Sequence, residues 1–247
     1  MQIKYMDWRS DQALEEEHLA VTYHLNSNHH PQLDVLTRSR MKMLRNLFMQ
    51  MNQAVTPVKR YYASERFRND ALRQEGYPHM AEIIAGLEKL QRTTVPFWDY
   101  ESLKNLGPAD KLDALDLYFI SKGQTNGSYE LFYYSPVEKF MEYVKEVEDP
   151  HWWNKTYDPG LEFRDGDLAL FITANISRSI KLFGERGYRL MMLEGGRLTE
   201  RLARCSQEGG RQPVPVMTFY DKPVQELLGV DGYYDVVLSS LIFREGE

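Results

Sequence analysis

The most constraining feature of the sequence is the uninterrupted apolar run LALFITA at residues 168–174. A run of this length without polar alternation is typical of a β-strand that is buried on both faces. Two further runs, LDLYFIS at 115–121 and SYELFYY at 128–134, are joined by the turn sequence KGQTNG and predict a hairpin. We therefore expect a sheet with a central strand that is covered on both sides.

Helices are predicted before and between these strands, because apolar residues recur at helical spacing and cap residues stand at the ends. Two short strands complete the pattern, and a helix-rich front followed by strands separated by helices indicates the α+β class. The predicted helices are 10–25, 33–54, 79–91, 136–147 with Pro136 near its first position, 188–207 ending at Gly209-Gly210, and 221–228 capped by Asp221; the strands are 214–219 and 234–243.

The composition is that of an ordinary globular chain and excludes several classes of protein. The chain has 247 residues, 43% of them hydrophobic, which is enough for a core without a disulfide or a structural metal. A net charge of −6 argues against a dedicated nucleic-acid-binding protein. The apolar runs are too short for a membrane helix, the polar N-terminus is unlike a signal peptide, and Cys205 is the single cysteine. We expect a cytoplasmic protein with no membrane or nucleic-acid partner.

The longest irregular stretch, at about 146–168, is unusually aromatic. It contains Trp152, Trp153, Tyr157 and Phe163. Aromatic side chains favour burial, so the stretch is predicted to be an ordered loop or lid rather than a flexible tether.

The C-terminal third carries an ordered series of motifs. The segment Gly184-Glu185-Arg186-Gly187-Tyr188-Arg189 is followed by Leu193-Glu194-Gly195-Gly196, then by Phe219 and by Glu226-Leu227-Leu228-Gly229. Together with the hairpin LDLYFISKGQTNGSYELFYYSP and the segment VTYHLNSNHHPQ near the front, this series resembles the nitroreductase-like flavoproteins. Within that superfamily it resembles the SagB-type dehydrogenases, which oxidise azolines to azoles in ribosomally made peptides.

The resemblance implies a fold, a cofactor and partners. The fold would be one nitroreductase-like domain over 1–247, with a helical part at 1–60 and a family-like core at 110–247. Its mixed, largely antiparallel sheet would be flanked by helices, and a dimer would bind FMN at its interface. A hydride would pass from the azoline ring carbon to the flavin while a nearby base takes a proton. The partners would be a modified peptide and a second copy, a homologous subunit or a cyclodehydratase subunit.

The resemblance also nominates site residues. The family places a Lys-Tyr pair, proposed as the base, directly before its Gly-(Asp/Glu)-Arg motif, where this chain has Leu182 and Phe183. Lys181, one residue upstream, is the candidate catalytic base. A loop could absorb the one-residue offset, whereas a helix would rotate the lysine by about 100° from the family position. The alternative interpretation is that Lys181 is an ordinary surface lysine without a catalytic role. The candidate flavin contacts are Arg38, Ser39, Arg40, Gly107, Ala109 and Arg186.

Simpler interpretations stand beside these assignments. Arg38 and Arg40 also suit the polar face of an amphipathic helix, and Ser64, Arg66 and Arg68 form a second candidate phosphate motif. The Gly195-Gly196 pair predicts close helix packing, as at an interface. His24, His29 and His30 lack carboxylate or cysteine partners at suitable spacing, so no metal site is predicted.

Three functions remain open at this point. The first is an FMN-dependent azoline dehydrogenase. The second is a flavin-deficient subunit of the same fold that binds or scaffolds the peptide, which the missing Lys-Tyr pair favours. The third is a general nitro- or quinone reductase, which needs hydride delivery but no base.

Overall fold

The computed structural model describes residues 65–93, 115–123, 127–135, 139–183 and 185–245, together with Leu19, Tyr23, Met43, Lys59 and Tyr61. In chain order the elements are β1 (Arg66–Phe67), α1 (Asn69–Gln74), α2 (Pro78–Thr93), β2 (Leu115–Lys122), β3 (Tyr129–Ser135), β4 (Phe140–Val147), α3 (Trp153–Thr156), β5 (Leu168–Asn175), α4 (Ile176–Phe183), α5 (Arg186–Glu208), β6 (Arg211–Val216), α6 (Asp221–Leu228) and β7 (Asp235–Glu245).

The described strands form one sheet in the order β1-β4-β3-β2-β5-β7-β6. Every pairing between them is antiparallel. Strand β5, which contains the run LALFITA, lies between β2 and β7, and its residues 168–174 are all buried. The expected α+β fold, with a largely antiparallel sheet and a doubly covered central strand, is confirmed.

One face of the sheet, the helical face, packs against α2 and α5. Since β-strand side chains alternate between faces, every second residue of β2 and β5 points into this apolar layer. The layer is built from Leu117, Phe119, Leu170, Ile172 and Phe243 of the sheet with Met80, Ile84, Leu87, Met191 and Leu202 of the two helices. None of the described helices combines the length and the apolar character needed to cross a bilayer.

The opposite face, the aromatic face, is covered by the predicted irregular stretch and by α6. Trp152 and Tyr157 are only 2% and 1% exposed, and the Trp152 ring centroid lies 5.1 Å from that of Phe163. The Tyr157 hydroxyl is 2.7 Å from Ser240 Oγ on β7. The stretch is ordered, as expected, and it is part of the core rather than a cover over an opening.

The predicted helix at 136–147 is wrong, since Phe140–Val147 is strand β4, paired with β3. Apolar residues at 140, 143, 144 and 147 have helical spacing, which suggested the helix. The same residues are aromatic or β-branched and suit a pleated strand. Lys139, at φ 58°, turns the chain back onto β3, and cross-strand pairing then outweighs the local pattern.

Other boundaries need smaller corrections. Predicted strand 214–219 is β6 at Arg211–Val216, and α6 has Tyr220 rather than Asp221 as its N-cap, without a side-chain capping bond. Predicted helices 79–91 and 188–207 are confirmed within α2 and α5. Helices 10–25 and 33–54 lie outside the described residues except at Leu19, Tyr23 and Met43, which have helical backbone. The single-domain boundaries and the dimer stay predictions.

Candidate functional site

A polar cluster lies on the aromatic face where β2 begins and where β3 and β5 end. Asp116, the second residue of β2, is 3% exposed. Its Oδ1 accepts hydrogen bonds from the Tyr133 hydroxyl at 2.8 Å and from Nη1 of Arg178 at 3.1 Å. Arg178 lies in α4, which directly follows β5, so the chain brings its guanidinium back over the start of β2. The cluster is therefore an ion pair fixed by three secondary-structure elements.

Burial and charge act in opposite directions on this ion pair. Burial alone would lower the pKa of Arg178, but the Asp116 carboxylate outweighs it and raises the pKa above its ordinary value. Burial, and then the charge of Asp116, also raises the pKa of Tyr133. Arg178 is thus held as a cation and Tyr133 as a neutral hydrogen-bond donor.

A lysine and a pair of tyrosines extend the cluster toward the surface. The hydroxyls of Tyr61 and Tyr118 are 2.8 Å apart, and burial raises the pKa of Tyr118. Lys59 Nζ lies 5.4 Å from the Tyr118 ring centroid and 3.5 Å from Oδ2 of Asp235. The Lys59 side chain is 23% exposed, so a cation and two phenols reach from the buried pair to the edge of the protein.

Helix α4 is anchored at its start and at its middle. At its start, Asn175 Oδ1 accepts the N–H of Arg178 at 3.0 Å, an N-cap contact, while Asn175 Nδ2 donates to Asp235 at 2.7 Å. At its middle, Ser179 Oγ donates to the carbonyl of Gly187 at 2.7 Å. A Cβ on Gly187 would lie only 2.5 Å from the Ser179 carbonyl oxygen, so only glycine permits this approach. The polar cluster is in this way rigidly joined to the start of α5.

The start of α5 brings two distant motifs together. Tyr188, from the motif Arg186-Gly187-Tyr188-Arg189, packs edge to face against Tyr23 with ring centroids 5.3 Å apart. Tyr23 belongs to the N-terminal segment VTYHLNS, more than 160 residues earlier. Its hydroxyl is buried and has no hydrogen-bond partner among the described residues. A buried donor in this condition needs an acceptor, which in a native protein is water or a ligand.

This donor set agrees with the chemistry of FMN, the cofactor that the sequence resemblance to nitroreductase-like flavoproteins implies. A flavin nucleotide offers phosphate and ring oxygens that accept hydrogen bonds. The buried Tyr23 hydroxyl and the guanidinium groups of Arg186 and Arg189, all at or against one helix N-terminus, are suitable donors. In the part of the chain that the structure describes, no group of three or more His, Cys, Asp or Glu side chains could hold a metal ion.

The structure describes only part of the predicted site. Lys181 lies in the last turn of α4, and Arg186 is the first residue of α5 and is partly buried. The backbone at residue 181 is helical, and successive residues of a helix are rotated by about 100° about its axis. Five other candidates lie outside the described residues, namely Arg38, Ser39, Arg40, Gly107 and Ala109. None of these assignments is tested, and all stay predictions.

Sequence reasoning missed the polar cluster. Asp116 carried a usable signal, because a lone carboxylate inside the apolar run LDLYFI must find a partner when the strand is buried. The partner Arg178 is 62 residues away, and no local pattern connects the two. No pattern in the sequence indicated that Lys59 and Tyr61 belong to the polar cluster.

Comparisons with known proteins agree on the fold. No protein-family model matches the chain. A 66-residue stretch, 27% of this chain and 33% of the relative, is 30% identical to a provisionally named nitroreductase of Methanocaldococcus jannaschii. A provisionally named nitroreductase from Anabaena variabilis matches 91% of this chain with a TM-score of 0.61 and 19% identity, and the match covers 46% of that protein. The fold is nitroreductase-like.

A second solved structure is similar over a smaller part. It is a chain of the E. coli microcin synthetase McbBCD complex with truncated pro-MccB17 bound. The match has a TM-score of 0.51 and 15% identity, and it covers 66% of this chain and 64% of that one. This chain therefore spans less than two thirds of the length of each of these three proteins.

Proposed function

We propose that this chain is an FMN-dependent oxidoreductase that oxidises azolines to azoles in a ribosomally made peptide, as the SagB-type dehydrogenases do. The observation that carries the proposal is the contact between Tyr23 and Tyr188. It joins the two parts of the sequence that resemble this family, and it leaves a buried hydroxyl in need of an acceptor. The likeness to a chain of a peptide-bound synthetase complex supports a peptide substrate.

The residues around the α4–α5 junction would have separate roles in binding the cofactor, taking up a proton and positioning the base. Bound FMN supplies a two-electron acceptor for the hydride that leaves the azoline ring carbon. Arg186, at the N-terminus of α5, would hold an anionic part of the cofactor together with the Tyr23 hydroxyl, while Arg38, Ser39, Arg40, Gly107 and Ala109 complete its binding. Lys181 would take the one proton that the ring loses together with the hydride. The buried Asp116–Arg178 pair would fix α4, and with it Lys181.

The absorption spectrum of the purified protein after addition of FMN tests the cofactor. We expect the bands of oxidised flavin at about 370 and 450 nm, with about one flavin per chain. Arg186→Ala should release the flavin, whereas Arg204→Ala, which removes an exposed cation from the same helix, should retain it. A colourless protein, or equal retention by both variants, would contradict the assignment.

Turnover tests the base. Lys181→Ala should lower the rate of azoline oxidation by about a hundredfold or more without changing flavin content, since a positioned base typically contributes 10²–10⁴-fold. Lys155→Ala, at an exposed lysine on α3, is the matched control and should retain its turnover. Normal turnover of Lys181→Ala would remove Lys181 from the mechanism.

A flavin-deficient subunit is the second candidate. The helical backbone at residue 181 favours it, because a helix cannot absorb the one-residue offset from the family base. Such a subunit would bind the peptide beside a homologous or cyclodehydratase partner. It predicts a stable heteromeric complex on size-exclusion chromatography and no flavin, whereas a flavin-loaded homodimer supports the first proposal.

A further inference from the structure

Two adjacent tyrosines project from the loop between α6 and β7. Tyr233 is 73% exposed and Tyr234 is 53% exposed, and their ring centroids lie 4.7 Å apart in an edge-to-face arrangement. Tyr233 and Tyr234 are two of the eight large hydrophobic side chains that are exposed among the described residues, and their rings are in mutual contact. A pair of exposed aromatic side chains in contact is a candidate interaction surface.

Hydrogen bonds to Asp231 and the conformations of two glycines fix the backbone of the loop that contains Tyr233 and Tyr234. Asp231 Oδ1 accepts the backbone N–H groups of Tyr233 and Tyr234, each at 2.8 Å, and that of Asp235 at 3.0 Å. Gly229 and Gly232 both have φ of 69°, a conformation that other residues rarely adopt. A loop already fixed by its own backbone loses little conformational entropy when a ligand binds.

The loop is also joined to the polar cluster. The carbonyl of Tyr234 accepts the N–H of Ile176, the first residue of α4, at 2.8 Å. The next residue, Asp235, contacts both Asn175 and Lys59. The two tyrosines therefore lie at the edge of the sheet end where α4 begins. Helix α4 contains Lys181 and leads to α5.

The two described edge strands are poorly suited to binding a peptide by strand addition, which needs an edge with available N–H groups. On one edge β1 has only two residues, and on the other β6 contains Pro213 and Pro215, which have no N–H to donate. Exposed side chains at this end of the molecule are therefore the better candidates for holding a peptide.

The charge of the loop selects among peptides. Backbone hydrogen bonds, first that of Asp235, hold the pKa of the exposed Asp231 below its usual range, so this carboxylate remains ionised beside the two rings. A negative charge next to phenol rings suits a neutral or basic peptide and repels an acidic one.

We propose that Tyr233 and Tyr234 form a platform on which the aromatic azole rings of a neutral or basic peptide stack, namely the rings that the proposed oxidation has already formed in it. Offset or edge-on contacts between aromatic rings contribute beyond their buried area, and phenols at a rim can provide them without a deep pocket. This proposal rests on the proposed function, from which it takes the class of peptide, and it adds where that peptide is held.

Binding is measured by fluorescence anisotropy with a labelled synthetic peptide that contains two thiazole rings. The double variant Tyr233→Ala/Tyr234→Ala should bind at least about tenfold more weakly than the wild type, and the corresponding double Phe variant should bind within about twofold of it. Tyr220→Ala, at an exposed tyrosine before the other end of α6, is the matched control and should bind normally. A peptide with unmodified Gly-Cys in place of each ring should bind weakly to all four proteins.

The outcomes separate this proposal from the proposed function. Equal affinity of the double Ala variant and the wild type would overturn the platform, even for a protein that binds FMN and turns over azolines. Tyrosine-dependent binding by a protein that never acquires flavin would support the platform and overturn the oxidoreductase. A change from dimer to monomer in the double Ala variant would show that a second copy occupies these side chains, and would also overturn the platform.

Discussion

The two ends of the sheet carry polar clusters that differ in how their charges are matched. At the Asp116 end, the partners Asp116 and Arg178 have side-chain exposures of 4% and 10%. At the opposite Arg211 end, Arg211 is 7% exposed, but its partner Glu245 is 67% exposed and its partner His79 is 46% exposed. Arg211 Nε donates to His79 Nδ1 at 3.2 Å, while its buried Nη2 has no hydrogen-bond partner among the described residues and lies 3.5 Å from Glu245 Oε1.

The Asp116 end is for this reason a rigid anchor, whereas the Arg211 end is an adjustable contact. A buried pair holds its elements in one arrangement, because moving either partner leaves an uncompensated charge in the interior. Partners at the surface can exchange protein contacts for water at little cost. The Asp116 end therefore fixes α4, the helix on which the proposed site depends, whereas the Arg211 end holds α2 against β6 and β7 more loosely.

Removal of one partner at each end should produce the largest contrast. Asp116→Ala should lower the free energy of unfolding by about 3–5 kcal/mol, because the Arg178 guanidinium would stay buried after losing the Asp116 carboxylate. Glu245→Ala should lower it by less than about 1 kcal/mol, because Glu245 is mostly exposed. Urea unfolding of the two variants measures both values.

Two results would show that the two ends of the sheet do not differ in this way. The first is an equal loss of stability in both variants. The second concerns the double variant Asp116→Leu/Arg178→Met, which removes both charges and should recover most of the loss. A double variant as unstable as Asp116→Ala would show that packing, rather than the unmatched charge, explains the effect.

Two glycines of α5 test how tightly α4 and α5 pack at the Asp116 end. Gly187→Ala should destabilise the protein by about 1–3 kcal/mol, because its Cβ would lie 2.5 Å from the Ser179 carbonyl oxygen. Gly196 is the matched control in the same helix, since a Cβ there meets open space. Gly196→Ala should therefore stabilise the protein by up to about 1 kcal/mol through helix propensity. Thermal unfolding checks the opposite signs, and a common sign would contradict the tight α4–α5 junction.

The strands and helices with strong local signals could be predicted from the sequence. The run LALFITA became the doubly covered strand β5, and the long helix ending at Gly209-Gly210 is α5. Strand β4 could not be predicted, because apolar residues at 140, 143, 144 and 147 satisfy the helical period and only pairing with β3 decides between the two structures.

The candidate site was less predictable than the fold. Its ordered motifs could be recognised, and the contact of Tyr23 with Tyr188 agrees with that recognition. The polar cluster depends on contacts such as Asp116–Arg178 and Lys59–Asp235, which are 62 and 176 residues apart. Such pairs leave no periodic or spacing signal, so they become visible only when the topology brings the ends of β2, β5 and β7 together.

The pH dependence of stability tests the Arg211 end, and it is the smallest of the expected effects. Because Arg211 donates to His79 Nδ1, this histidine must be neutral in the folded protein. Burial first, and then the Arg211 charge, lower the pKa of His79, although Glu82 and Glu245 oppose the shift. The unfolded chain therefore takes up the proton more readily than the folded protein. The contribution of His79 is fully present above its unfolded value of about 6.5 and is lost as the pH falls toward the lower folded value.

The matching experiment compares urea unfolding at pH 8 and pH 5 in the wild type and in His79→Gln. The amide of Gln can accept a hydrogen bond from Arg211 but does not titrate, so the variant should lose less stability between these two pH values than the wild type. The other five histidines are common to both proteins and cancel in the difference. Equal losses would mean that acid does not act through the His79–Arg211 contact.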